Sequence, residues 1–447
     1  MGIFRQRAPL DESLSFRFVF PVAAELSFTT LIGLLISQVV SGISPSALAA
    51  IGLSNSIMMV VTVLFSAVTI GTSILVSRQV GEGDRDGMVE TVEQSTFLTL
   101  LSTLTVTLLC LLFADPLLRL FMPSAEEQML SEATRYFQVM MGSLPFLILQ
   151  NVYSGIYRGM GDSRLPLVST VVMNLIQLLF SWLCISQWGW NELGAGAALI
   201  FCRIGGLGII VIALLREHHR LPIQLDRIFR PRLEACKRII RIGLPLSFES
   251  TFVQGGYLIA NSMAIALGGF ESGVYQIINT VNGFTGIAQS ICATIILSAV
   301  GHLLGRKEYG NIRKAGWQVM IAGLLAGLFL GTLAVVFREP IAGFYSSDPA
   351  TVRASAELFW VLLLMNGTGL VVNVFDSQLR AGGDVTYVMV NSSVGVWLVR
   401  LPLTYLFCFV WGWGVPGIFA ANIISLAGRA VAGLVRYCGK KWMYQRV

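Results

Sequence analysis

Long apolar stretches separated by short polar loops make up almost the whole chain. A helix needs about 20 apolar residues to cross the hydrocarbon core of a bilayer. The stretches that meet this requirement lie at roughly 18–41, 47–77, 95–114, 136–157, 165–188, 193–215, 242–269, 272–301, 315–337, 358–379, 385–411 and 412–435. None shows the sustained alternation of apolar and polar residues that is typical of a transmembrane β-barrel. The pattern therefore predicts an all-α integral membrane protein with twelve transmembrane helices.

The second half of the chain repeats landmarks of the first half at a nearly constant offset. The repeated landmarks are Arg158–Asp162 with Arg380–Asp384, Pro21 and Glu25 with Pro245 and Glu249, and Gly81 and Asp84 with Gly305 and Glu308. Each half holds six spans, an even number, so both halves insert in the same direction. We therefore expect two six-helix lobes related by a parallel repeat, at 1–220 and 240–447, joined by a basic linker at 221–239.

Composition agrees with a membrane protein. The chain is 55% hydrophobic and 13% charged, whereas soluble domains carry about 25% charged residues. The net charge of +6 does not argue for nucleic acid, because the basic residues lie in short loops beside the spans. Of the 31 Lys and Arg residues, 24 lie on the side that holds both termini, four lie on the opposite side and three lie within spans. The positive-inside rule then places both termini in the cytoplasm.

Ionisable residues within the spans are the first candidates for function, because each costs at least about 2.5–3.5 kcal/mol near the bilayer centre. They are Glu25, Arg203, Glu249, Asp376, Arg400 and Arg429. Glu249 lies roughly 15 Å along its helix from the basic linker, which places it near mid-depth. Its carboxylate could bind a proton or a cation, or face a cationic substrate. It could instead accept a hydrogen bond next to Pro245, with no role in function.

The other candidates also have a structural alternative. Glu25 is the repeat partner of Glu249 but lies nearer the cytoplasmic end, where a helix dipole favours a carboxylate. Asp376 precedes Arg380 by four residues, so it forms either a local ion pair or part of an acidic coupling site. Arg400 requires a carboxylate or a water-filled cavity, and Asp376 and Glu249 are the nearest candidate partners. It could instead lie close enough to the outer surface for its side chain to reach water.

Two further sets of polar residues are candidates. The loops Arg158–Asp162 and Arg380–Asp384 could form paired cytoplasmic gates, or they could be tight turns in which aspartate caps the next helix. A sodium site would need several oxygen ligands, and Asn261, Asn279 and Asn282 could supply them together with Glu249. The seven cysteines show no paired spacing, so we expect neither a disulfide framework nor a metal site.

Several of these motifs together resemble the multidrug and toxic compound extrusion (MATE) family. They are the two parallel six-span halves, Pro21 in span one, the run Ala47–Leu53, the loop Gly81–Asp84 and the Arg-Gly-x-Gly-Asp loop at Arg158–Asp162. The resemblance covers nearly the whole chain and implies a V-shaped molecule whose central cavity alternates between cytoplasm and exterior. It implies a monomer of a bacterial cytoplasmic membrane that exports organic cations and other amphipathic compounds. Protons or sodium would drive export, and no cofactor is expected.

The chain departs from the family pattern in its first half. Many members carry an acidic residue in span one and another in span five, and the matching positions here are Ile36 and Leu178. Asn174 remains as a polar neighbour of the second position, while Asp376 does not fall on the family's usual acidic position in span ten. The resemblance therefore implies that coupling, where present, moves to Glu25, Glu249 or Asp376.

Two rival functions stay open at this point. A lipid or lipid-linked oligosaccharide flippase of the same superfold would have basic rather than acidic cavity walls, and Arg203 and Arg400 keep that possibility open. A membrane-bound enzyme or sensor would need a polar catalytic cluster or a soluble domain, and the sequence contains neither. It also lacks the phosphate-binding motif required for ATP hydrolysis.

Overall fold

The computed structural model describes residues 16–40, 45–121, 127–216, 223–346, 348–439 and 442. Helices occupy all twelve predicted segments, and the described residues contain no strand. Nine of the described helices are long and apolar enough to cross a membrane, and a pair bent by 45° would make a tenth span. The all-α fold class is confirmed. Residues 1–15 and 443–447, on which the prediction for the termini rests, lie outside the described residues.

The first half and the linker contain ten helices. They are α1 (Phe16–Val40), α2 (Pro45–Glu82), α3 (Arg85–Leu112), α4 (Ala114–Phe121), α5 (Glu127–Gly142), α6 (Leu144–Gly159), α7 (Arg164–Ser181) with a π-helical continuation at Trp182–Gln187, α8 (Asn191–Arg216), α9 (Leu225–Ile228) and α10 (Leu233–Ala266). The buried core of this half is formed by large side chains such as Phe137, Ile148 and Tyr157.

The second half continues with nine further α-helices. They are α11 (Gly269–Thr285), α12 (Ile287–Gly305), α13 (Tyr309–Val336), α14 (Arg338–Tyr345), α15 (Pro349–Leu358), α16 (Val361–Ala381), α17 (Val385–Ser393), α18 (Leu401–Tyr405) and α19 (Val415–Cys438), with π-helices at Val394–Arg400 and Leu406–Val410. Its core is built around Tyr275, Phe359 and Phe419.

Backbone contacts divide the chain into two units, and the division falls inside α10. One unit is Phe20–Leu244, and the other includes everything from Pro245 onward. Within the first unit, the start of α10 packs directly on α2, since a Cβ added at Gly243 would lie 2.4 Å from the carbonyl oxygen of Ala67. Glycine at this position therefore allows the two helix backbones to touch.

The basic linker is held against the first unit by buried polar side chains of α3. Gln94 donates to the carbonyl oxygens of Arg227 and Arg230, and its own oxygen accepts from the backbone N–H of Arg232 at 2.9 Å. Glu93 accepts from the backbone N–H of Gln224 at 3.0 Å. Although the sequence suggests only a basic connection, the structure shows a segment whose backbone is hydrogen-bonded to a helix.

The repeated loops adopt the same backbone conformation in both halves. Gly161 and Gly383 have φ of 85° and 87°, and the N–H of the following aspartate bonds to the carbonyl oxygen five residues earlier at 2.9 Å in both loops. The other repeated loop differs at its left-handed position, where Lys307, with φ of 60°, replaces Gly83, with φ of 75°. A lysine in this left-handed conformation is strained, whereas glycine is not.

The offset of the repeat increases by one position within the eleventh span. Thr170 matches Ser392 at the same offset as the loop arginines, but the Trp-Gly-Trp turn at Trp188–Trp190 recurs one position later than that offset, at Trp411–Trp413. In both turns the first tryptophan N–H bonds five residues back, and the central glycine has φ of 66° and 69°. The π-helix Val394–Arg400 has no counterpart in α7 and accommodates the additional residue.

Candidate functional site

Glu249 lies at the centre of a buried hydrogen-bonded group in the second lobe. Its Oε1 accepts from Nη2 of Arg380 at 2.7 Å and from the hydroxyl of Ser392 at 2.8 Å. Glu249 is 4% exposed, and no hydrogen bond from a described residue reaches its Oε2. One carboxylate oxygen is therefore committed to the protein, and the other remains available to a proton or a ligand.

The first lobe contains the same three-residue group at the repeated positions. Oε1 of Glu25 accepts from Nη2 of Arg158 and, at 3.1 Å, from the hydroxyl of Thr170. The sequence repeat shows that both glutamates and both loop arginines are duplicated, but it does not show that they bind each other. Their partnership depends on the packing of helices that are far apart in the chain.

A second ion pair extends the group in the second lobe. Arg429 donates through Nη2 to Oδ2 of Asp376 at 3.0 Å and to the hydroxyl of Ser392 at 2.7 Å. The local pairing of Asp376 with Arg380 that sequence spacing allows is therefore not what forms, because Arg380 binds Glu249 instead. Ser392 joins the two pairs into one continuous hydrogen-bonded chain from Asp376 to Arg380.

This chain borders a cavity of about 260 Å³ within the second lobe. Its charged lining consists of Glu249, Asp376, Arg380 and Arg429, so the formal charges of the lining balance. Amide side chains supply much of the remaining polar lining, and they are Asn282, Gln289, Asn373 and Asn422. Asn282 Oδ1 is buried without a hydrogen-bond partner. The cavity therefore presents both carboxylates together with uncommitted hydrogen-bonding atoms.

The first lobe lacks most of these polar groups at the equivalent positions, although Asn373 has a counterpart in Asn151. At the offset that relates the two glutamates, Asn282 and Gln289 correspond to Met58 and Phe65, two residues of the first lobe's apolar core. Asp376 corresponds to Ser154 at the offset of 222 positions that relates the loop arginines. Arg429 corresponds to Gly206 at the offset of 223 positions that relates the Trp-Gly-Trp turns. The lobes therefore share the Glu–Arg pair, but the second ion pair belongs to the second lobe.

The two positions where many family members are acidic carry no ionisable group here. Leu178 lines a groove of about 680 Å³ whose other lining residues are Leu35, Val39, Leu175, Leu179 and Trp182. Ile36 is half-buried on α1. Asn174 is buried and donates to the hydroxyl of Thr29 at 3.3 Å. None of the described residues that line the groove carries a carboxylate that could bind a proton or a cation.

The remaining candidates lie apart from the Glu249 group. Neither Asp376 nor Glu249 pairs with Arg400, which instead stacks on the ring of Tyr257 at 4.3 Å. Asn261 does not line the cavity, because it follows Glu249 by twelve residues, about 18 Å along α10. Arg203 is satisfied within the first lobe, where it donates to the carbonyl oxygen of Met140 and the hydroxyl of Ser143.

The two loop aspartates have different partners. Asp162 accepts from the backbone N–H of Arg164 at 2.9 Å, at the start of α7. Asp384 makes no cap hydrogen bond to α17, and instead accepts from Nε of Arg436 at 2.6 Å. With Arg158 and Arg380 bound to glutamates of their own lobes, all four loop residues have intralobe partners. Whether they also act as gates stays a prediction.

The family model MatE matches this chain twice, over residues 21–183 and 245–406. The chain belongs to the MatE family. The two matches begin at the repeated prolines, Pro21 and Pro245, so they follow the duplication. Membership confirms the resemblance to the MATE family, and with it a multi-pass membrane transporter of a bacterial family.

Curated relatives and solved structures agree with this assignment over the full length. The chain is 25% identical to the probable multidrug resistance protein NorM of Thermotoga maritima, with coverage of 99% of this chain and 96% of NorM. It is 26% identical to the uncharacterized transporter YisQ of Bacillus subtilis, with coverage of 99% and 97%. An outward-facing multidrug resistance MATE transporter superposes with a TM-score of 0.90 at 21% identity, with coverage of 98% and 97%.

A further solved structure has the same fold and a different reported binding site. It is a transporter from Pyrococcus furiosus, described as having a binding pocket of reversed polarity, and it superposes with a TM-score of 0.88 at 20% identity. The alignment covers 99% of this chain and 98% of that protein. Fold alone therefore does not decide the polarity of the substrate, and the residues of this chain must be considered directly.

Proposed function

We propose that this protein exports organic cations or other amphipathic drugs from bacteria in exchange for protons, with the coupling group in the second lobe. Alternating access would arise as residues 1–220 rock against residues 240–447. The observation that carries the proposal is the polar cavity that holds Glu249 and Asp376, together with the absence of the second ion pair from the repeated positions of the first lobe, Ser154 and Gly206. Relatives named multidrug resistance proteins support the substrate class.

The hydrogen-bonded chain indicates how a proton could be coupled to transport. A proton on Glu249 or Asp376 removes the charge that holds an arginine in place, so it weakens the ion pair. Because Ser392 bridges Glu249 and Arg429, a change at one carboxylate alters the bonding of the other. Protonation of either carboxylate would therefore weaken contacts between several helices of the second lobe and allow them to rearrange.

Protons fit this group better than sodium. Arg380 and Arg429 already donate to one oxygen of each carboxylate, so a sodium ion bound to the other oxygen would lie close to a positively charged guanidinium. A proton needs no coordination shell.

The alternative function, a lipid or lipid-linked oligosaccharide flippase, predicts basic cavity walls. The described cavity carries two carboxylates and two arginines. This balance does not favour a phosphate-bearing lipid over an amphipathic cation.

The test is export of a fluorescent organic cation, ethidium, from proteoliposomes with separately imposed proton and sodium gradients. Glu249→Gln and Asp376→Asn should abolish export driven by the proton gradient. Glu25→Gln is the matched control, because Glu25 has an arginine and a hydroxyl partner like those of Glu249, whereas the first lobe has Ser154 and Gly206 where the second lobe has its second ion pair. It should retain export.

The outcomes separate the proposals clearly. Equal loss in Glu25→Gln and Glu249→Gln would show that the pair acts structurally in both lobes, and would overturn coupling in the second lobe. Export driven only by the sodium gradient would show that sodium, not the proton, is the coupling ion. If the parent moved ethidium under neither gradient but translocated a fluorescent phospholipid, the flippase would be the correct function.

A further inference from the structure

Arg400 is a buried cation for which the described part of the protein supplies no hydrogen-bond acceptor. The residue is 3% exposed, and its Nε is enclosed without a partner. No carboxylate or carbonyl oxygen of a described residue accepts from the guanidinium. Its guanidinium stacks on the Tyr257 ring, whose centroid lies 4.3 Å from Cζ, and the buried phenol of Tyr275 lies within electrostatic range.

The other arginines within the spans are all provided with acceptors. Arg203 donates to a carbonyl oxygen and a hydroxyl of the first lobe, and Arg429 donates to Asp376 and Ser392. A buried cation without an acceptor is costly, so its presence requires a compensating interaction. The simplest source of that interaction is a bound anionic group.

The position of Arg400 excludes a simple contact with the membrane surface. It lies fifteen residues after the start of α17 at Val385 and ten residues before Val410. At 1.5 Å per residue it is about 15 Å from the nearer end of the span, beyond the reach of an arginine side chain. Arg400 also ends the π-helix that accommodates the inserted residue, and such π-helical turns are frequent at functional sites.

Tyr257 connects Arg400 to the polar cavity. Tyr257 is 42% exposed and lines the cavity. It follows Glu249 by eight residues on α10, which separates them by about 12 Å along the helix axis. In the second lobe, Glu249 and Asp376 therefore line the cavity directly, whereas Arg400 packs behind the lining residue Tyr257.

We propose that Arg400 binds the carboxylate of an amphipathic zwitterionic substrate, whose cationic group faces Glu249 and Asp376. The planar fork of arginine suits a carboxylate, which can accept two parallel hydrogen bonds. The inference rests on the proposed export function but concerns substrate recognition. A binding measurement therefore tests it independently of whether the protein transports.

The experiment compares two dyes that differ only in one carboxylate. Rhodamine B is zwitterionic, and its ethyl ester carries the same cation with the acid blocked. Binding to the purified protein in phosphatidylcholine nanodiscs is followed by fluorescence anisotropy. The parent should bind the free acid about tenfold more tightly than the ester, as expected for a hydrogen bond between charged groups. Benzoate should compete with the acid and not with the ester.

Variants assign the preference to Arg400. Arg400→Gln should bind both dyes with the affinity of the ester, and Arg400→Lys should retain part of the preference because it keeps the charge without the fork. Arg353→Gln removes an exposed arginine of the same lobe and should behave as the parent. The benzoate competition uses only the parent, so the test stands even where an Arg400 variant does not fold.

Three results would overturn the proposal. The first is equal affinity of the parent for the two dyes. The second is a preference for the acid that survives in a folded Arg400→Gln protein. The third is loss of the preference in nanodiscs containing phosphatidylglycerol, which would show that Arg400 binds a lipid phosphate. Binding with the expected preference but without export would leave this inference standing and refute the proposed function.

Discussion

Replacement of Arg158 by glutamine should destabilise the first lobe by about 3 kcal/mol, because it leaves Glu25 as a buried charge without its cation. Glu25 is 7% exposed, and its Oε2 is buried without a hydrogen-bond partner. Breaking a buried pair costs about 3–5 kcal/mol, and the lower value applies because the Arg158 side chain is 28% exposed. For a lobe of this size, the melting temperature should fall by about 6–12 °C.

The double variant Glu25→Gln with Arg158→Gln should be more stable than the single Arg158→Gln variant. Neither charge then remains, and two amides can hydrogen-bond to each other. We expect a coupling free energy of roughly 2 kcal/mol in the double-mutant cycle. Arg78→Gln serves as the control, because Arg78 forms a more exposed pair with Glu82 at 3.2 Å and should cost about 0.5 kcal/mol or less.

Thermal unfolding of purified protein in detergent, followed by tryptophan fluorescence, measures these differences. Additive single-variant effects would refute the view that Arg158 and Glu25 act as one structural pair. An Arg158→Gln protein with unchanged melting temperature and abolished export would instead support the predicted gate at Arg158–Asp162.

Three further predictions concern single positions. Lys307→Gly should stabilise the protein by about 1 kcal/mol, because the left-handed conformation costs lysine about 1–2 kcal/mol and the greater freedom of glycine in the unfolded chain offsets part of this gain. Thermal unfolding measures the difference, and an unchanged melting temperature would contradict the prediction. Gly243→Ala should destabilise by about 1–3 kcal/mol through overpacking on Ala67, whereas Gly283→Ala, with nothing within 4 Å of the added Cβ, should gain about 0.5–1 kcal/mol. Hydrogen bonds from the hydroxyl and the backbone N–H of Thr351 lower the pKa of Asp348. The stabilising contribution of the Asp348 carboxylate is therefore present above about pH 4 and lost as the pH falls through its folded-state pKa. Asp348→Asn should be less stable than the parent at pH 7, and its stability should depend less on pH below pH 4.

The sequence by itself determined the helices, their number and the repeat. These follow from local properties, since twenty consecutive apolar residues must be helical to satisfy their backbone in lipid. Landmarks such as Pro21 and Pro245 show the duplication without any knowledge of packing. The sequence also identified Glu25, Glu249 and Asp376 as costly residues that need a reason to lie within spans.

Only the tertiary structure decided which of these residues are partners. Glu249 and Arg380 are 131 positions apart and meet because α10 and α16 belong to one packed lobe. Sequence spacing instead favoured Asp376 with Arg380, a local pair that loses to a cross-helix arrangement in which each carboxylate has its own arginine. That no described residue accepts a hydrogen bond from the Arg400 guanidinium is likewise a property of packing. Periodicity places a residue on a helix, but only the surrounding helices determine whether its charge has a hydrogen-bonding or oppositely charged partner.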